Sequence, residues 1–337
     1  MSKPDVQEQL NKKILILDGA MGTMLQQANL SPEDFGGEKL DGCNENLVIT
    51  RPDIVTHIHR SYLEAGADII ETNTFGATSV VLAEYDLQAK AREINLEAAR
   101  LAVNEANAFS SEQWPRYVAG AIGPTTKTLS VTGGVSFDEL LESYFEQAVA
   151  LIDGGVDLIL LETSQDTLNV KAANIAIQKA FEQTGKELPV MISGTIEPMG
   201  TTLAGQTIES FYISLEHYRP VSIGLNCATG PEFMRDHIRT LSEVADTAVS
   251  CYPNAGLPDE EGHYHESPES LAKKMAGFAE QGWINIAGGC CGTTPDHIRE
   301  LANVLKDYSP RTDYGDHPAA VSGIETVYVE EDNRPLM

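Results

Sequence analysis

Short runs of apolar and β-branched residues recur along the chain, and a longer stretch with helical spacing of apolar positions follows each run. Eight runs are present: Ile14–Gly19, Ala67–Asn73, Tyr117–Pro124, Val156–Thr163, Pro189–Ile196, Ser222–Cys227, Ala248–Ala255 and Asn285–Gly292. They are apolar along their whole length, which is typical of strands in a parallel sheet covered by helices. The pattern therefore predicts parallel strands that alternate with helices.

Amphipathic stretches between these runs indicate the connecting helices. Asp53–Ala65, Asp138–Asp153 and Pro268–Glu280 show the expected spacing of apolar residues. Pro295–Lys306 follows the last strand, and Thr294 is a plausible N-cap because Pro295 suits the first helical position. Eight strand–helix units in about 300 residues favour an α/β fold, a (β/α)8 TIM-type barrel with its active site at the carboxyl ends of the strands.

An open doubly wound sheet is the alternative architecture. We rank it second because no glycine-rich dinucleotide-binding sequence opens any of the predicted helices. The alternation of strands and helices stops after about Ser309, and the remainder is polar, acidic and contains proline. We therefore predict a barrel over residues 1–310 and an acidic linker or arm over residues 311–337.

Composition narrows the classes of function. The 337 residues include 23 Lys and Arg against 50 Asp and Glu, a formal net charge of -27, which argues against nucleic-acid and membrane partners. No apolar run reaches the ~20 residues of a membrane-spanning helix, and the polar first residues lack the apolar core of a secretion signal. Five cysteines, an odd number, favour a reduced, cytoplasmic protein over a disulfide framework.

Three cysteines stand at the ends of two predicted strands. Cys227 ends the sixth strand, and Cys290 with Cys291 ends the eighth. These strands are near neighbours around an eight-stranded barrel, and we expect Gly288, Gly289 and Gly292 to let the backbone turn both thiols toward one point. Three thiolates with an open fourth position are typical of a catalytic zinc site. Buried core cysteines, or a vicinal disulfide between the adjacent pair, are the alternatives.

The other candidate ligands carry less weight. We expect Cys43, in a polar loop, and Cys251, inside the seventh strand, to be structural. His263 and His265 have the alternate spacing of a metal pair, but their loop is hydrophilic and a solvated surface is the better interpretation.

Two features indicate where a small polar substrate would bind. The first strand ends in the glycine-rich turn Asp18–Thr23, whose backbone N–H groups suit an anionic group such as a carboxylate. Glu162 ends the fourth strand and would place a carboxylate in the same mouth, where it could hold an ammonium group. Each signal alone also fits an ordinary strand–helix connection.

Six motifs together resemble a known family. They are LDGAMGTM (17–24), ADIIETNTF (67–75), LLET (160–163), GLNC (224–227), YPNAGLP (252–258) and GGCCG (288–292). The chain resembles the homocysteine S-methyltransferases over roughly residues 12–308, and most of all the homocysteine-binding module of cobalamin-dependent methionine synthases. GLNC with GGCCG carries the family resemblance. ISGTI (192–196), TLAGQT (202–207) and PNAGLP favour the cobalamin-dependent branch over the betaine and S-methylmethionine enzymes.

The resemblance implies a role for each matching residue. It assigns zinc to Cys227, Cys290 and Cys291, with the side-chain oxygen of Asn254 as a fourth ligand that substrate displaces. It places the amino-acid part of homocysteine against Asp18, Gly19 and the turn that continues with Ala20, with Glu162 on the ammonium group and Thr72 lining the pocket.

The resemblance also implies a reaction. Homocysteine, bound as a zinc thiolate, would attack the methyl group of methylcobalamin and give methionine, the homocysteine-binding part of a 5-methyltetrahydrofolate–homocysteine methyltransferase. Folate-binding and cobalamin-binding modules do not fit in 337 residues, and the chain has no Asp-x-His-x-x-Gly cobalamin-ligating motif. We therefore expect these modules as partners, in the same or another chain, with this chain as an excised module or a subunit of a split enzyme.

Three other functions remain open at this point. A free-standing methyltransferase would use betaine or S-methylmethionine at the same zinc site, without a corrinoid. A purely structural zinc would only hold the barrel rim together. A thiol redox protein would cycle Cys290 and Cys291 through a disulfide.

Overall fold

The predicted apolar runs form parallel strands in the computed structural model, which describes residues 3–329. The strands are β1 (Leu15–Ile16), β2 (Ile69–Glu71), β3 (Tyr117–Ile122), β4 (Leu158–Ser164), β5 (Val190–Gly194), β6 (Ser222–Asn226), β7 (Ala248–Tyr252) and β8 (Ile286–Ala287). Seven lie inside the runs that the sequence predicts, and β4 extends one residue beyond its run, to Ser164. Within the described residues, every helix is too short or too polar to cross a membrane.

Neighbouring strands pair in chain order, and the sheet closes on itself. Leu15 of β1 pairs with Ile286 of β8, in parallel. On its other side β1 continues into Leu17, which forms a parallel bridge with Ile69 of β2. Because β1 contacts both β8 and β2, the strands form a barrel, and the predicted (β/α)8 architecture is confirmed over the open sheet.

Helices surround the barrel, and the first of them contributes Val6 and Leu10 to the cluster inside it. They are α1 (Val6–Leu10), α2 (Met21–Gln27), α3 (Pro32–Phe35), α4 (Leu47–Thr50), α5 (Pro52–Ala65), α6 (Ser79–Leu82), α7 (Ala91–Phe109), α8 (Phe137–Gly154), α9 (Thr167–Thr184), α10 (Ile208–Leu215), α11 (Pro231–Val244), α12 (Pro268–Glu280) and α13 (Pro295–Leu305). Short 3₁₀ helices span Glu38–Leu40, Asn44–Asn46, Ala83–Tyr85, Gln88–Lys90 and Glu216–Tyr218.

Local sequence explains where the long helices begin. Proline occupies the first position of α5, α11, α12 and α13, where the missing N–H leaves no hydrogen bond unmade. Ser136 and Glu139 form a capping box at the start of α8. Thr294 is the N-cap of α13, as the sequence predicts, and its N–H donates to His297 Nδ1 at 3.2 Å.

Alternation along the strands separates two cores. Leu17, Ile69 and Leu160 belong to the cluster that fills the barrel interior. Ile16, Ile70 and Leu161 pack in the larger cluster between the sheet and the helices. Because side chains alternate along a strand, the residue two positions after an inward one also points inward. Glu71 lies two positions after Ile69, and Glu162 lies two positions after Leu160. Both carboxyl groups therefore point into the barrel at its carboxyl end.

The described part of the predicted arm packs on the barrel. Strands β9 (Ala320–Ser322) and β10 (Thr326–Tyr328) form an antiparallel hairpin. The Ser322 hydroxyl donates to the Ser210 carbonyl at 2.6 Å, and the Tyr328 hydroxyl donates to Glu209 at 2.6 Å, both at the start of α10. Residues 330–337 lie outside the described residues. The domain boundary at residue 310 stays a prediction.

Candidate functional site

Three thiols converge at the carboxyl end of the barrel. The sulfurs of Cys227 and Cys291 are 3.8 Å apart. All three sulfurs, with that of Cys290, lie within 4.8 Å of one another, and each residue is partly exposed to the mouth. Two strand ends that are remote in sequence thus bring the predicted ligands together.

The spacing of the sulfurs suits a tetrahedral metal ion. With zinc–sulfur bonds of about 2.3 Å, two ligands of a tetrahedron are separated by roughly 3.8 Å. The 3.8 Å between Cys227 and Cys291 matches this value, and the wider limit of 4.8 Å for the set requires only small side-chain rotations. By distance and by donor chemistry, the three residues fit a zinc ion.

The backbone at these cysteines is unusual, and it differs in part from what the sequence predicts. Cys227 and Ala228 both have left-handed backbone, with φ of 61° and 56°, although neither is glycine. Among the three glycines expected to provide such freedom, only Gly292 has positive φ, 81°. Strain held at a ligand residue is typical of functional sites.

Gly288 and Gly289 are needed for a different reason. A Cβ on Gly288 would approach the Leu17 side chain to 2.8 Å, and one on Gly289 would approach the Thr293 hydroxyl to 2.5 Å. The loop therefore requires glycine there because it lies against β1 and its own next turn. Close packing, and not positive φ, explains these two positions.

Asn226 links the ends of three strands to the thiol cluster. Its side-chain oxygen accepts hydrogen bonds from the Thr163 N–H at 2.9 Å and the Ser193 hydroxyl at 2.7 Å. Its side-chain nitrogen donates to the Thr163 hydroxyl at 2.8 Å and to the Cys290 sulfur at 3.9 Å. The amide, which is fully buried, thereby fixes the thiol cluster to the ends of β4, β5 and β6.

Hydrogen bonds among the three thiols shift their pKa values in different directions. Hydrogen bonds from Cys227 and then Cys290 lower the pKa of the Cys291 thiol. Hydrogen bonding to Cys227 and then Cys291, with burial, raises the pKa of the Cys290 thiol. A cluster of this kind loses its first proton readily and the later ones with difficulty, so full ionisation requires a cation among the sulfurs.

Asn254 lies on the loop between the two cysteine segments. Its N–H donates to the Thr229 carbonyl at 3.1 Å, just after Cys227. The neighbouring Ala255 N–H donates to the Cys291 carbonyl at 2.9 Å. The side chain is buried, and its oxygen has no hydrogen-bond partner among residues 3–329. A buried, unpartnered amide oxygen next to the thiols is consistent with the predicted fourth ligand.

Hydrogen bonds join the cysteine loop to the turn after β1. The Gly289 N–H donates to the Asp18 carbonyl at 3.1 Å, and the Gly292 N–H donates to the Thr23 hydroxyl at 2.9 Å. A Cβ on Gly19 would meet the Thr293 hydroxyl at 2.8 Å. The predicted substrate turn and the thiol cluster therefore form one continuous wall of the mouth.

Three carboxyl groups lie at the strand ends beside this wall, and one of them, Asp18, begins the turn that belongs to it. Asp18 and Glu162 are buried, and Glu71, which the sequence analysis did not select, is partly exposed beside them. The Glu71 N–H donates to Asp18 Oδ2 at 3.0 Å, whereas Asp18 Oδ1 is buried with no partner in the described part of the chain. The unpartnered oxygen of Asp18 is available to accept a hydrogen bond from a bound ammonium group.

Burial and mutual repulsion control the protonation of these groups. Burial, followed by the charges of Glu71, Asp18 and Cys291, raises the pKa of Glu162. Burial and then the charge of Glu71 raise the pKa of Asp18. Burial alone raises the pKa of Glu71 to about 8. A bound ammonium group would relieve this repulsion and restore the charged carboxylates.

Two further predicted residues already have hydrogen-bond partners. The Ala20 N–H donates to the Thr293 hydroxyl at 3.2 Å. The Thr72 hydroxyl accepts from the Ala121 N–H at 3.0 Å and shares a 2.6 Å hydrogen bond with Thr74. Both lie at strand ends of the mouth, and their contact with substrate stays a prediction.

The remaining candidates lie away from the site. Cys43 and Cys251 are fully buried in the outer core. His263 and His265 are exposed, and the ring of His265 contacts Asp259 at 2.6 Å on the same loop. These placements agree with the structural and surface roles that the sequence predicts.

Known proteins resemble this chain in sequence pattern and in fold. A family model described as homocysteine S-methyltransferase matches residues 15–305. The metallated form of the homocysteine methyltransferase MmuM from Escherichia coli superimposes with a TM-score of 0.72 at 23% identity, over 87% of this chain and 96% of that one. Its oxidised form gives 0.70 at 22% identity, over 86% and 95%. At such identities these structures establish the shared fold.

Proposed function

This chain belongs to the homocysteine S-methyltransferase family, and from that premise we propose that it methylates homocysteine at a zinc site formed by Cys227, Cys290 and Cys291. The observation that carries the proposal is the convergence of the three sulfurs within 4.8 Å at the carboxyl end of the barrel. When bound there, zinc supplies the positive charge that keeps the substrate sulfur deprotonated and nucleophilic at neutral pH.

The chain orients the rest of the substrate. We assign the ammonium group of homocysteine to Glu162, because this buried carboxyl points into the mouth and the neighbouring charges that raise its pKa, those of Glu71, Asp18 and Cys291, are all negative. The turn at Asp18 and Gly19 is assigned to the amino-acid end, since hydrogen bonds connect it directly to the cysteine loop. Binding would place the substrate sulfur near the thiols and displace Asn254 from the open position.

The methyl donor that we propose is methylcobalamin carried by another module. In this reaction the homocysteine sulfur forms a bond to the methyl carbon while the cobalt–carbon bond breaks, and cobalt keeps the electron pair. The products are methionine and cob(I)alamin, and the thiol proton leaves to solvent when homocysteine binds. The motifs ISGTI, TLAGQT and PNAGLP support this donor. Folate-binding and cobalamin-binding modules are the corresponding partners.

A donor comparison tests the proposal. Zinc-loaded protein is mixed with homocysteine and free methylcobalamin, and the visible spectrum of the corrinoid is followed. We expect loss of methylcobalamin that depends on both zinc and homocysteine, with an equal amount of methionine formed. Turnover with betaine or S-methylmethionine, and none with methylcobalamin, would assign the chain to the corrinoid-free enzymes.

Two non-catalytic outcomes have distinct signatures. A purely structural zinc predicts that metal removal unfolds the barrel and that homocysteine leaves a metal reporter such as Co²⁺ unperturbed. A redox function predicts a reversible disulfide and no stoichiometric zinc. The proposed function predicts that the barrel stays folded without the metal, that homocysteine perturbs the Co²⁺ reporter, and that zinc binds in a stoichiometric amount.

A further inference from the structure

Tyr264 packs directly on the loop that carries two of the three thiols. It lies in the connection between β7 and α12, and its side chain lies against Gly292, the residue after Cys291. A Cβ on Gly292 would approach both Cβ and Cγ of Tyr264 to 2.3 Å. Gly292 also has left-handed backbone, with φ of 81°. Glycine is therefore required at this position by the turn and by the close approach of the tyrosine.

Hydrogen bonds fix the connection that carries Tyr264. The Glu266 N–H donates to the Ala255 carbonyl at 3.1 Å, and the Ala255 N–H donates to the Cys291 carbonyl at 2.9 Å. His297 Nε2, on α13, donates to the Glu266 carbonyl at 2.9 Å. The connection is thus closed at its base and bonded to the cysteine segment, so the same backbone contacts position the tyrosine and the thiol.

The phenol group of Tyr264 faces the thiol cluster. Burial, followed by the charge of Cys291 and a hydrogen bond with it, raises the pKa of Tyr264, so the hydroxyl stays protonated at neutral pH and donates. Hydrogen bonds from the two other thiols of the cluster, and then from Tyr264, lower the pKa of Cys291. Both effects have the same direction, because the contact favours a neutral phenol and an anionic sulfur.

The neighbouring thiol has a side-chain donor of its own. The Asn226 nitrogen donates to the Cys290 sulfur at 3.9 Å, and the oxygen of that amide is held by other hydrogen bonds. The two adjacent cysteines therefore each meet a donor from a different part of the barrel, which is β6 for Cys290 and the connection after β7 for Cys291. A hydrogen bond to a metal ligand orients the ligand and changes the charge on its donor atom.

Selectivity for the substrate sulfur requires such a difference in charge. With homocysteine bound, an incoming methyl group would meet the substrate sulfur and three cysteine sulfurs within a few ångströms. Methylation of a cysteine would inactivate the site. The nucleophilicity of a thiolate falls as its pKa falls, and a hydrogen bond to the sulfur lowers that pKa. A ligand sulfur that accepts a hydrogen bond is therefore a weaker nucleophile than one that accepts none.

We propose that Tyr264 is a positioning residue that donates a hydrogen bond to the Cys291 thiolate and thereby directs methyl transfer away from this ligand and toward the substrate sulfur. This inference rests on the proposed function, because it takes the ligand set and the substrate from there. In the side reaction that Tyr264 suppresses, a bond forms between the Cys291 sulfur and the methyl carbon. The bond from that carbon to its leaving group breaks, and the leaving group keeps the electron pair.

The test removes the hydroxyl and keeps the ring. Tyr264→Phe is compared with Tyr314→Phe, the matched control, which removes the hydroxyl of an exposed tyrosine in the segment after α13. Each zinc-loaded protein is treated with methyl iodide in the absence of homocysteine, and the rate of S-methylation at each cysteine is measured by peptide mass spectrometry. The sulfur-to-metal charge-transfer absorption of each Co²⁺-substituted protein is recorded in parallel.

We expect Tyr264→Phe to move the charge-transfer absorption to longer wavelength, because the Cys291 sulfur would carry more charge. Methylation of Cys291 should be about threefold faster or more, since a rise of about one in the pKa of a thiolate corresponds to roughly a threefold gain in rate. Rates at Cys227 and Cys290 should change by less than about twofold, and the control should match the wild type in both measurements.

Three results would count against the inference. An unchanged spectrum and unchanged methylation of Cys291, with the metal retained, would overturn it and leave the proposed function intact. An equal rise at all three cysteines would also overturn it, since Tyr264 would then only shield the cluster from the reagent. Failure of the wild type to bind zinc or Co²⁺ is a separate result, because it would reject the proposed metal site itself and the inference with it.

Discussion

The side-chain nitrogen of Asn226 donates a 3.9 Å hydrogen bond to the sulfur of Cys290, across 64 positions of sequence. The oxygen of the same amide is held by Thr163 and Ser193, so it cannot rotate to present an acceptor to the sulfur. A fixed donor beside a thiol favours the thiolate form. At Cys290 this donor opposes the neighbouring thiols and burial, which raise the pKa of the thiol, and it would stabilise the thiolate once a cation is bound.

Replacement of one thiol should abolish zinc binding and leave the barrel folded. We expect Cys290→Ser to reduce zinc affinity by more than about 100-fold and to abolish methyl transfer, because the hydroxyl does not ionise to replace the thiolate. Zinc per chain, far-UV circular dichroism and methionine formation provide the measurements.

Cys251→Ala serves as the matched control for this variant. It removes a buried cysteine that packs in the outer core, away from the cluster. Zinc content should stay at one per chain, with a modest loss of stability. Normal turnover by Cys290→Ser would contradict the zinc mechanism.

The strands of the barrel and the positions of its thiols can be predicted because the sequence patterns that indicate them are formed by neighbouring residues. Each strand is recognised from a run of consecutive apolar residues. Each helix start is recognised from neighbouring residues, such as Pro295 after Thr294. To predict that the three cysteines lie close together, one further fact is needed. The carboxyl ends of the strands of a parallel barrel lie on the same face. The fold and the convergence of the three thiols therefore follow from pattern, whereas the assignment of zinc to them rests on the family resemblance and stays a prediction.

The residues that sequence analysis missed depend on contacts between strands. Glu71 and Asn226 both lie in quoted motifs, yet their importance appears only when β2 reaches Asp18 and β6 reaches Cys290. The signal was available for Glu71, because it ends β2 and Glu162 lies two residues before the end of β4. The hairpin of β9 and β10 was missed because its strands are three residues each and carry no alternation long enough to detect.

Glu162→Gln should weaken recognition of the substrate ammonium group. We expect kcat/KM for homocysteine to fall by about 10- to 100-fold, since a neutral amide replaces a charged hydrogen-bond partner. The analogue 4-mercaptobutanoate, which has the thiol and carboxylate but no ammonium group, should react equally with variant and wild type. Parallel rate measurements with the two thiols test this expectation. A similar loss with both would instead indicate general damage to the site.

Glu71→Gln should change how stability depends on pH. Burial raises the pKa of Glu71 from 4.5 to about 8 in the folded state, so the charged form is disfavoured there. Its contribution to stability is fully present below pH 4.5 and is lost as the pH rises through about 8. Glutamine does not ionise, so this decrease in stability with rising pH should be absent from the variant.

The measurement is thermal unfolding of zinc-loaded, substrate-free protein at two pH values. We expect Glu71→Gln to unfold about 2 °C or more above the wild type at pH about 8.5, with a smaller difference at pH about 5. Glu142→Gln, on the outer side of α8, is the matched control. An equal shift at both pH values would show that charge at Glu71 is not responsible.

Asn254→Ala should separate metal retention from substrate binding. The buried side-chain oxygen is unpartnered within the described residues, and removing it would leave the open position to water. We expect a chelator to extract zinc several-fold faster from the variant in the absence of homocysteine. Homocysteine affinity should be equal or higher, because no protein ligand has to be displaced. Weaker homocysteine binding would show that Asn254 contacts the substrate directly.

Arg311 connects the barrel to the segment that follows it. Its guanidinium donates to the carbonyls of Ser242, Ala245 and Thr247 at 3.1, 2.6 and 2.8 Å, and its side chain is buried. Its own carbonyl accepts from the Asn285 side chain at 2.8 Å, next to β8. We expect Arg311→Met to lower the free energy of unfolding by about 2–4 kcal/mol, because three buried carbonyls lose their donor.

Urea unfolding followed by circular dichroism measures this loss. Arg299→Met is the matched control, since its half-exposed guanidinium forms an ion pair with Asp296 on the same helix, and it should change stability by less than about 0.5 kcal/mol. The comparison also tests the predicted boundary at residue 310, one position before Arg311. A large loss would show that the barrel needs the first residue of the predicted arm for stability, so the structural domain extends past residue 310. A loss no greater than the control's would support the boundary where the sequence pattern places it.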